Sequence, residues 1–231
     1  MTESRRRAGA NHDMPSRTVP EACISRLSWY MREVQALRTR GAEFVSSRWL
    51  GKHLGLTDAQ VRRDLSYFGQ FGTSGRGYEV ARLHDRLRSI LGVADRTWNL
   101  ALVGVGNLGH ALLAHGAFRE RGFRFKLALD VDPQKIGRRI QDLTIAPAAD
   151  LARLARQQAI QVGVITVPVQ AAQGVCNQLV EGGVRSILNF APVRLDVPAS
   201  VRVRTVDLAV ELEGLAFHLA REHANGSTNG S

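Results

Sequence analysis

The chain has 231 residues, 44% hydrophobic and 23% charged, so it can bury a core and is neither a disordered nor a collagen-like protein. Its formal net charge of +10 favours an anionic partner, either nucleic acid or a membrane surface. Residues 1–90 carry a net +7 and residues 91–231 a net +3, so the anionic partner is expected to meet the N-terminal part.

Neither targeting nor metal binding is predicted. The polar, basic residues 1–19 are not followed by the apolar stretch of a signal peptide, and no run of 18 apolar residues predicts a membrane span. Two cysteines, Cys23 and Cys176, are too few for a disulfide framework or a CxxC metal site. A cytoplasmic location without a metal is therefore expected.

The spacing of apolar residues changes near residue 95. Before it the spacing is helical, and after it short apolar runs alternate with helical stretches, as in a parallel sheet with helices on both faces. The predicted fold is α/β: an N-terminal winged helix-turn-helix domain, then a Rossmann-type doubly wound parallel sheet and a C-terminal helix. The expected bounds are a disordered basic tail over 1–19, the winged helix over 20–92, the Rossmann domain over 93–206, the C-terminal helix over 207–223 and a disordered tail over 224–231.

Residues 45–69 have the spacing and the caps of a helix-turn-helix. A first helix, from about residue 24 to 40, precedes them. A short helical segment is predicted over residues 45–54, starting at a serine cap and ending at Gly55, and a third helix opens at Thr57, where TDAQ fits a capping box.

The third helix has an apolar stripe and a polar outer face. Val61, Leu65 and Phe68 share one side and are expected to face the core, which leaves cations and short donors outside. Such a face can reach base edges and phosphates in the major groove, although an arginine pair alone is more often a solvated helix surface. The outward residues are Gln60, Arg62, Arg63 and Ser66.

A glycine-rich segment follows the third helix. Residues 70–80 place three glycines and Arg76 between two short extended flanks, which is typical of a wing that lies against DNA. Together with the capped helices and the basic N-terminal part, this segment predicts double-stranded DNA as the partner.

A strand, a glycine-rich loop and a helix follow one another from residue 100. The GxGxxG fingerprint is weak alone but strong here, because the apolar strand LALV precedes it, a helical stretch from His110 to Arg121 follows it, and Asp130 ends the next strand, 21 residues after Gly109. Its glycines allow a tight turn, close approach to a pyrophosphate and close helix packing. The expected loop contacts are Gly104, Val105, Gly106, Asn107, Leu108 and Gly109.

Asp130 is placed to accept hydrogen bonds from the adenosine ribose. A carboxylate there repels a 2′-phosphate, so NAD(H) is favoured over NADP(H), although Lys135, Arg138 and Arg139 lie near in sequence. Asp132 is the fallback for this role, and a turn residue before a proline is its simpler interpretation.

Further contacts are expected at the carboxyl ends of the other strands, by the switch-point rule. Two segments qualify, and turn chemistry explains each of them equally well. They are Thr166, Val167 and Pro168, and Asn189, Phe190 and Ala191.

The residues left over argue against an enzyme. The Rossmann pattern takes up residues from about 97 to 205, which leaves no room for a substrate domain. No tyrosine has a lysine four residues later, so the Tyr-x-x-x-Lys acid pair of short-chain reductases is also missing. His110 and His115 lie on the first Rossmann helix, where a surface role is the commoner one. No catalytic residue is predicted; the alternative is a small NAD-dependent oxidoreductase with an incidental basic N-terminus.

The last predicted helix is unusually apolar for a terminal element. Leu208, Leu212, Leu215 and Leu219 follow one face, with no later element to cover them. The helix either packs on its own sheet or is exchanged between two subunits, and a homodimer suits a winged helix that reads a two-fold site.

The chain from about residue 20 to 220 resembles the Rex family of redox-sensing transcriptional repressors. The motifs that carry the resemblance are VSSRWLGKHLGL, VRRDLSYFG, LVGVGNLG, DVDP-x-KIG, SILNFAPV and VDLAVEL-x-x-LAFH. It implies a homodimer on a palindromic operator, Rossmann domains that bind NADH or NAD⁺, a C-terminal helix swapped between subunits, and release of the operator as NADH rises. It assigns the DNA surface to Ser46, Ser47, Arg48, Lys52, Arg62, Arg63 and Arg76.

One position departs from the family, which often has a tyrosine where this chain has His115. The family pattern places that side chain near the nicotinamide, close to an arginine of the first helix and an aspartate that opens the swapped helix, here Arg26 and Asp207. These three residues are the predicted coupling element between cofactor and DNA, and a histidine would add pH sensitivity to it.

Overall fold

The computed structural model describes residues 19–73 and 75–226. The chain divides into two compact units between Arg96 and Thr97, four residues after the expected boundary. The predicted basic tail lies outside the described residues except for Val19, and the predicted C-terminal tail lies outside them from residue 227.

The N-terminal unit is a winged helix-turn-helix, as the sequence predicted. Strand β3 pairs antiparallel with β1 on one side and β2 on the other, and β2 and β3 form the wing. The elements are α1 (Glu21–Thr39), β1 (Phe44–Val45), α2 (Ser47–Leu54), α3 (Asp58–Ser66), β2 (Gly72–Thr73), β3 (Gly77–Glu79) and α4 (Val80–Ile90).

The apolar stripe of α3 faces the core of this unit. Val61 and Leu65 are buried and Phe68 is half-buried, as predicted, against the fully buried Leu27 of α1 and Leu50 of α2. Full burial of such a side chain stabilises the fold by about 1.5–3 kcal/mol, so the outer face of α3 is fixed by what its inner face buries.

The C-terminal unit is a Rossmann fold around a seven-stranded sheet. Its strand order is β10-β9-β8-β4-β5-β7-β6, in which only β6 runs antiparallel. From β4 the chain adds strands first on one side of the sheet and then, starting with β8, on the other, so the strand order reverses between β4 and β8. Ligands of such sheets bind beyond the carboxyl ends of the strands at this reversal. The elements are β4 (Trp98–Val103), α5 (Asn107–Ala114), α6 (Ala117–Glu120), β5 (Phe123–Asp130), β6 (Arg139–Ile140), β7 (Leu143–Pro147), α7 (Leu151–Gln157), β8 (Val162–Ile165), α8 (Val169–Glu181), β9 (Ser186–Asn189), β10 (Arg202–Thr205) and α9 (Leu208–Gly226).

Two features of this unit differ from the sequence prediction. The helix expected to run to Arg121 is interrupted, because His115 has an extended backbone with φ −78° and ψ 100°, and α6 starts after Gly116. The hairpin of β6 and β7 was not predicted, since two residues are too short a strand to show a period.

Helix α9 closes the described chain. Asp207 caps it by accepting a hydrogen bond from the Ala209 N–H at 2.9 Å, and the helix continues to Gly226, three residues beyond the predicted end. Its large apolar side chains are 57–65% exposed, and no helix among residues 19–73 and 75–226 is long and apolar enough to cross a membrane. The exposed residues are Leu208, Val210, Leu212, Leu215, Phe217 and Leu219.

Candidate nucleic-acid interface and dinucleotide site

Side-chain caps fix the two helices of the helix-turn-helix. The Ser46 hydroxyl accepts a hydrogen bond from the Trp49 N–H at 3.0 Å, and the Thr57 hydroxyl accepts one from the Gln60 N–H at 3.1 Å. Gly55 ends α2 at φ +65°, a left-handed conformation that glycine adopts without strain. The turn that sets α3 against α2 therefore follows from three residues of sequence, Ser46, Gly55 and Thr57.

The cations of α3 and the wing are exposed and partly ordered. Arg62 donates to the Asp58 carboxylate at 2.7 Å and to the Ser47 hydroxyl at 3.2 Å, and the Arg76 guanidinium lies 4.5 Å from the centre of the Phe44 ring. An arginine held over an aromatic ring loses less side-chain freedom when it binds phosphate.

A groove of about 530 Å³ lies between the start of α2, α3 and the wing. It is lined by hydroxyls and guanidinium groups, which suit phosphate oxygens. The predicted DNA residues that line it are Ser46, Ser47, Arg62, Ser66 and Arg76. Four predicted DNA residues do not line it. Three of them are exposed elsewhere on the same unit, namely Arg48, Lys52 and Arg63, and the fourth is Gln60.

Gln60 differs from the prediction. It is half-buried rather than fully outward, and its side-chain nitrogen donates to the Asp64 carboxylate at 2.7 Å. The capping box is therefore half formed: Thr57 accepts from the helix, but the glutamine amide turns toward the next turn of α3 instead of back to Thr57.

Asp64 is a residue that the sequence analysis missed. Its side chain is 1% exposed and accepts hydrogen bonds from both Arg26 Nε and Arg26 Nη2, from the Tyr30 hydroxyl at 2.7 Å and from Gln60. Burial alone would raise the pKa of Asp64, but the hydrogen bonds from these three side chains outweigh it and lower the pKa. The available signal was an acid beside Leu65, on the inner side of α3, which demands a buried donor.

The glycine-rich loop leaves β4 and enters α5 with little room for side chains. Gly104 has φ +98°, and a Cβ there would lie 2.5 Å from the Thr166 carbonyl oxygen. A Cβ on Gly109 would collide with the carbonyl oxygen of Gly104. Gly106 is different, because a Cβ there would meet no atom within 4 Å and the residue lines an open cavity.

Asp130 lies beside this loop and its carboxylate is occupied by protein donors. It is 6% exposed and accepts from the Val105 N–H at 2.7 Å, the Asp132 N–H at 2.9 Å and Lys135 Nζ at 3.1 Å. Burial would raise the pKa of Asp130, but these hydrogen bonds outweigh it and lower the pKa, so the group is ionised at neutral pH. Asp132 also forms the predicted turn, with its carboxylate accepting from Gln134 N–H at 2.9 Å.

A cavity of about 560 Å³ opens at the carboxyl ends of β4, β5 and β8. Free backbone space at Gly106, the N-terminus of α5 and an ionised acid fit a pyrophosphate and a ribose hydroxyl. Residues missing from the prediction but present here include Lys135 and the 81% exposed Val131. The predicted residues that line the cavity are Gly104, Gly106, Asn107, Leu108, Asp130, Asp132, Thr166, Val167 and Pro168.

Five predicted contacts lie outside this cavity. Gly109 and Val105 are buried under the loop, where they support its shape. Asn189 is fully buried; its amide nitrogen donates to the carbonyls of Ala191 and Val193, each at 2.9 Å, and its oxygen accepts from the Ala191 N–H at 3.0 Å. Turn chemistry therefore explains this segment, which also includes Phe190.

The three predicted coupling residues have separate surroundings. Arg26 is bonded to Asp64 within the N-terminal unit. In the C-terminal unit, His115 stacks edge-on against Phe118 and lines a cavity of about 230 Å³, while Asp207 caps α9 and lines another of about 550 Å³. The single chain does not bring His115 and Asp207 to one cavity.

A winged helix followed by a Rossmann unit with a glycine-rich loop defines the class: a DNA-binding protein that carries a nucleotide-binding fold. Two family models agree with this division. The one described as "Putative DNA-binding protein N-terminus" matches residues 18–66, and the one described as "CoA binding domain" matches residues 95–193.

Close relatives cover nearly the whole chain. The redox-sensing transcriptional repressors Rex of Carboxydothermus hydrogenoformans and Syntrophobacter fumaroxidans are 48% and 46% identical to it, over 88% and 87% of this chain and 98% and 96% of their own. The chain therefore belongs to the Rex family of redox-sensing transcriptional repressors.

The solved structures agree with that membership. The structure of the Rex-family repressor RSP with β-NAD⁺ and operator DNA has a TM-score of 0.86 at 33% identity, covering 94% of this chain and 99% of its own. RSP with β-NADH has a TM-score of 0.83 at 32% identity, covering 92% and 99%.

Proposed function

We propose that this protein is a redox-sensing repressor that binds a palindromic operator as a homodimer and releases it when NADH rises relative to NAD⁺. The observation that carries the proposal is the pairing, in one chain, of an exposed basic helix-turn-helix with a Rossmann cavity that has room at Gly106 and an ionised Asp130. A cytoplasmic location follows from this role.

The DNA contacts belong to the N-terminal unit. Arg63 is exposed, and its side chain donates no hydrogen bond within residues 19–73 and 75–226, so its five N–H donors are available for guanine or phosphate. Arg62 and Arg76, ordered by Asp58 and Phe44, suit the sugar-phosphate backbone. The complete proposed set is Ser46, Ser47, Arg48, Lys52, Gln60, Arg62, Arg63, Ser66 and Arg76.

The dinucleotide contacts belong to the C-terminal unit. The glycine loop and the N-terminus of α5 would bind the pyrophosphate, and the Asp130 oxygen that accepts only one protein hydrogen bond would accept from a ribose hydroxyl. The same negative charge disfavours a 2′-phosphate, so NAD(H) is the ligand rather than NADP(H). The bound nicotinamide supplies the redox difference, since its ring is positive in NAD⁺ and neutral in NADH.

The thiols are not the redox sensor. Cys23 and Cys176 are both fully buried, and burial is the main cause that raises the pKa of each, that of Cys23 to about 11. A buried, protonated thiol reacts slowly with oxidants, so the redox signal enters through the dinucleotide.

Helix α9 supports the homodimer. Six large apolar side chains that are more than half exposed on one helix cost solubility unless another surface covers them, and a second copy supplies an identical helix. Leu212→Glu/Leu219→Glu should therefore yield monomers by light scattering, whereas Arg202→Glu on the exposed edge strand β10 should leave the dimer intact.

Coupling between the sites remains assigned to Arg26, His115 and Asp207. Cofactor binding can change operator affinity only if the conformation that binds the operator and the conformation that releases it have different affinities for NADH. Asp207→Asn tests the charge while keeping the cap of α9, because asparagine caps as well as aspartate. We expect weaker NADH-driven release at equal NADH affinity; unchanged release would exclude Asp207 from the coupling.

The deciding experiment is a gel shift with a duplex selected by the wild-type protein from a randomised pool. We expect retention with NAD⁺, release with rising NADH, and a steep salt dependence of binding. Gly106→Ala should raise the NADH concentration needed for release by about tenfold or more, because the new methyl enters the space of the pyrophosphate without touching protein.

Two controls complete the gel shift. Gly174→Ala, on the exposed face of α8 where a Cβ meets nothing within 4 Å, should behave as wild type. Coenzyme A, which also carries an ADP moiety, should not release the DNA. Substrate-dependent hydride transfer without any duplex preference would overturn the proposal in favour of an oxidoreductase.

A further inference from the structure

Helix α3 has a buried acid one turn after Gln60, which lies in the first turn of the helix. Asp64 is 1% exposed and accepts four hydrogen bonds, two from Arg26, one from Tyr30 and one from Gln60. No buried side-chain polar atom in the described part of the chain lacks a partner, so every buried polar atom of this cluster is paired. It joins α1 to α3 and reaches Gln60.

Gln60 is a half-buried member of the cluster and the one that lies nearest the N-terminus of α3. It lies in the first turn of α3, the part of a recognition helix that approaches base edges. An amide nitrogen carries two hydrogens, and the bond to Asp64 uses one of them, so one N–H and the carbonyl oxygen remain. These are the two groups with which a glutamine reads adenine.

We infer that Asp64 is a positioning residue for sequence reading: it holds the Gln60 amide in one orientation before DNA arrives. The charge on Asp64 makes the hydrogen bond to Gln60 stronger than one between neutral groups. The bidentate bond to Arg26 and the Tyr30 hydroxyl fix the carboxylate in turn, so the orientation of Gln60 is set from α1. This inference rests on the proposed DNA-binding function.

The two roles that Asp64 could have predict different DNA-binding patterns. A residue that only stabilises the domain lowers affinity for every duplex alike when it is replaced. A residue that positions Gln60 changes the preference at the base pair that Gln60 reads and leaves the salt dependence unchanged, because no cation that binds phosphate is lost.

The test is a double-mutant cycle on base preference. Wild type, Gln60→Leu, Asp64→Asn and the double variant each select duplexes from the same randomised pool, and binding to the wild-type choice and its single-base variants is then measured. Gln60→Leu should relax the preference at one base pair of each half-site by about tenfold. Asp64→Asn should relax the same base pair, and the double variant should be no worse than Gln60→Leu.

Asp95→Asn is the matched control for charge, since it removes one exposed carboxylate from the same unit. It should leave base preference unchanged. Additive effects in the cycle, or an equal loss on every duplex with Asp64→Asn, would overturn the inference. If the wild type selects no preferred duplex, it is the proposed function that fails instead.

A measurement on the wild type alone covers the case in which Asp64→Asn does not fold. Hydrogen exchange of side-chain amides by NMR should be about tenfold slower for Gln60 than for Gln35, which is exposed on α1. Equal exchange of the two amides would mean that Gln60 is not held before DNA binds, and the inference would be wrong.

Discussion

Asp64 in the N-terminal unit and Asp130 in the C-terminal unit are both buried carboxylates with a lowered pKa, but their donors differ in kind. Asp64 is bonded by side chains of two helices, and one donor is the guanidinium of Arg26, itself only 19% exposed. Replacing Asp64 therefore leaves a largely buried positive charge without its partner.

Asp130 is bonded mostly by its own neighbourhood. Two of its donors are backbone N–H groups of the adjoining loops, from Val105 and Asp132, and the third is Lys135, whose side chain is 36% exposed. The lysine can turn to water or a ligand, so replacing Asp130 leaves no buried positive charge without its partner. Asp64 thus fixes the position of α1 relative to α3, whereas Asp130 can exchange one hydrogen-bond donor, Lys135, for a ligand.

The largest expected effect is on Asp64→Asn. In this variant an NH₂ group replaces the carboxylate oxygen that accepts from both Arg26 and Gln60, and an NH₂ group accepts from neither. We therefore expect the N-terminal unit to lose about 3–5 kcal/mol of unfolding free energy. Denaturant unfolding followed by the fluorescence of Trp29 and Trp49 measures it. Asp85→Asn, at a 69% exposed side chain, should cost under about 1 kcal/mol; an equal loss in both variants would contradict the assignment.

Acid should remove part of the same stabilisation. Because the folded-state pKa of Asp64 is lowered, its contribution is fully present above the unfolded pKa of about 3.9 and is lost as the pH falls through the folded pKa below that value. The unfolding free energy of the wild type should fall in this window. In Asp64→Asn the fall should be smaller, and a parallel curve for the two proteins would contradict the link to Asp64.

This difference between the two acids also explains what sequence reasoning could find. Asp130 sits in a local pattern of strand, glycine loop and following strand, and local backbone bonds give such patterns a fixed spacing. Asp64 meets Arg26, 38 residues away, through side chains, and no spacing rule describes that contact. The stripe of α3 and the caps were predictable, but the inward turn of Gln60 was not, since the TDAQ pattern equally predicted a full capping box.

A smaller effect is expected on Asp130→Asn. The backbone N–H groups of Val105 and Asp132 donate to different oxygens of Asp130, and the asparagine keeps only one of these oxygens. The other N–H group then faces an NH₂ group, so we expect the unfolding free energy of the C-terminal unit to fall by about 1–3 kcal/mol. Binding of NADH, measured by its fluorescence, should weaken as well, while operator binding without cofactor is retained. Asp142→Asn, at a 75% exposed side chain, is the control and should change neither quantity.

The smallest effect should come from Tyr30→Phe, which removes one of the four hydrogen bonds to Asp64 and keeps the ring in the core. A hydrogen bond to a charged group is worth about 1.5–3 kcal/mol, but Arg26 and Gln60 remain, so we expect a loss near the lower value. Thermal unfolding at pH 7 measures it. A loss as large as that of Asp64→Asn would mean that the hydroxyl, and not the guanidinium, holds the carboxylate between α1 and α3.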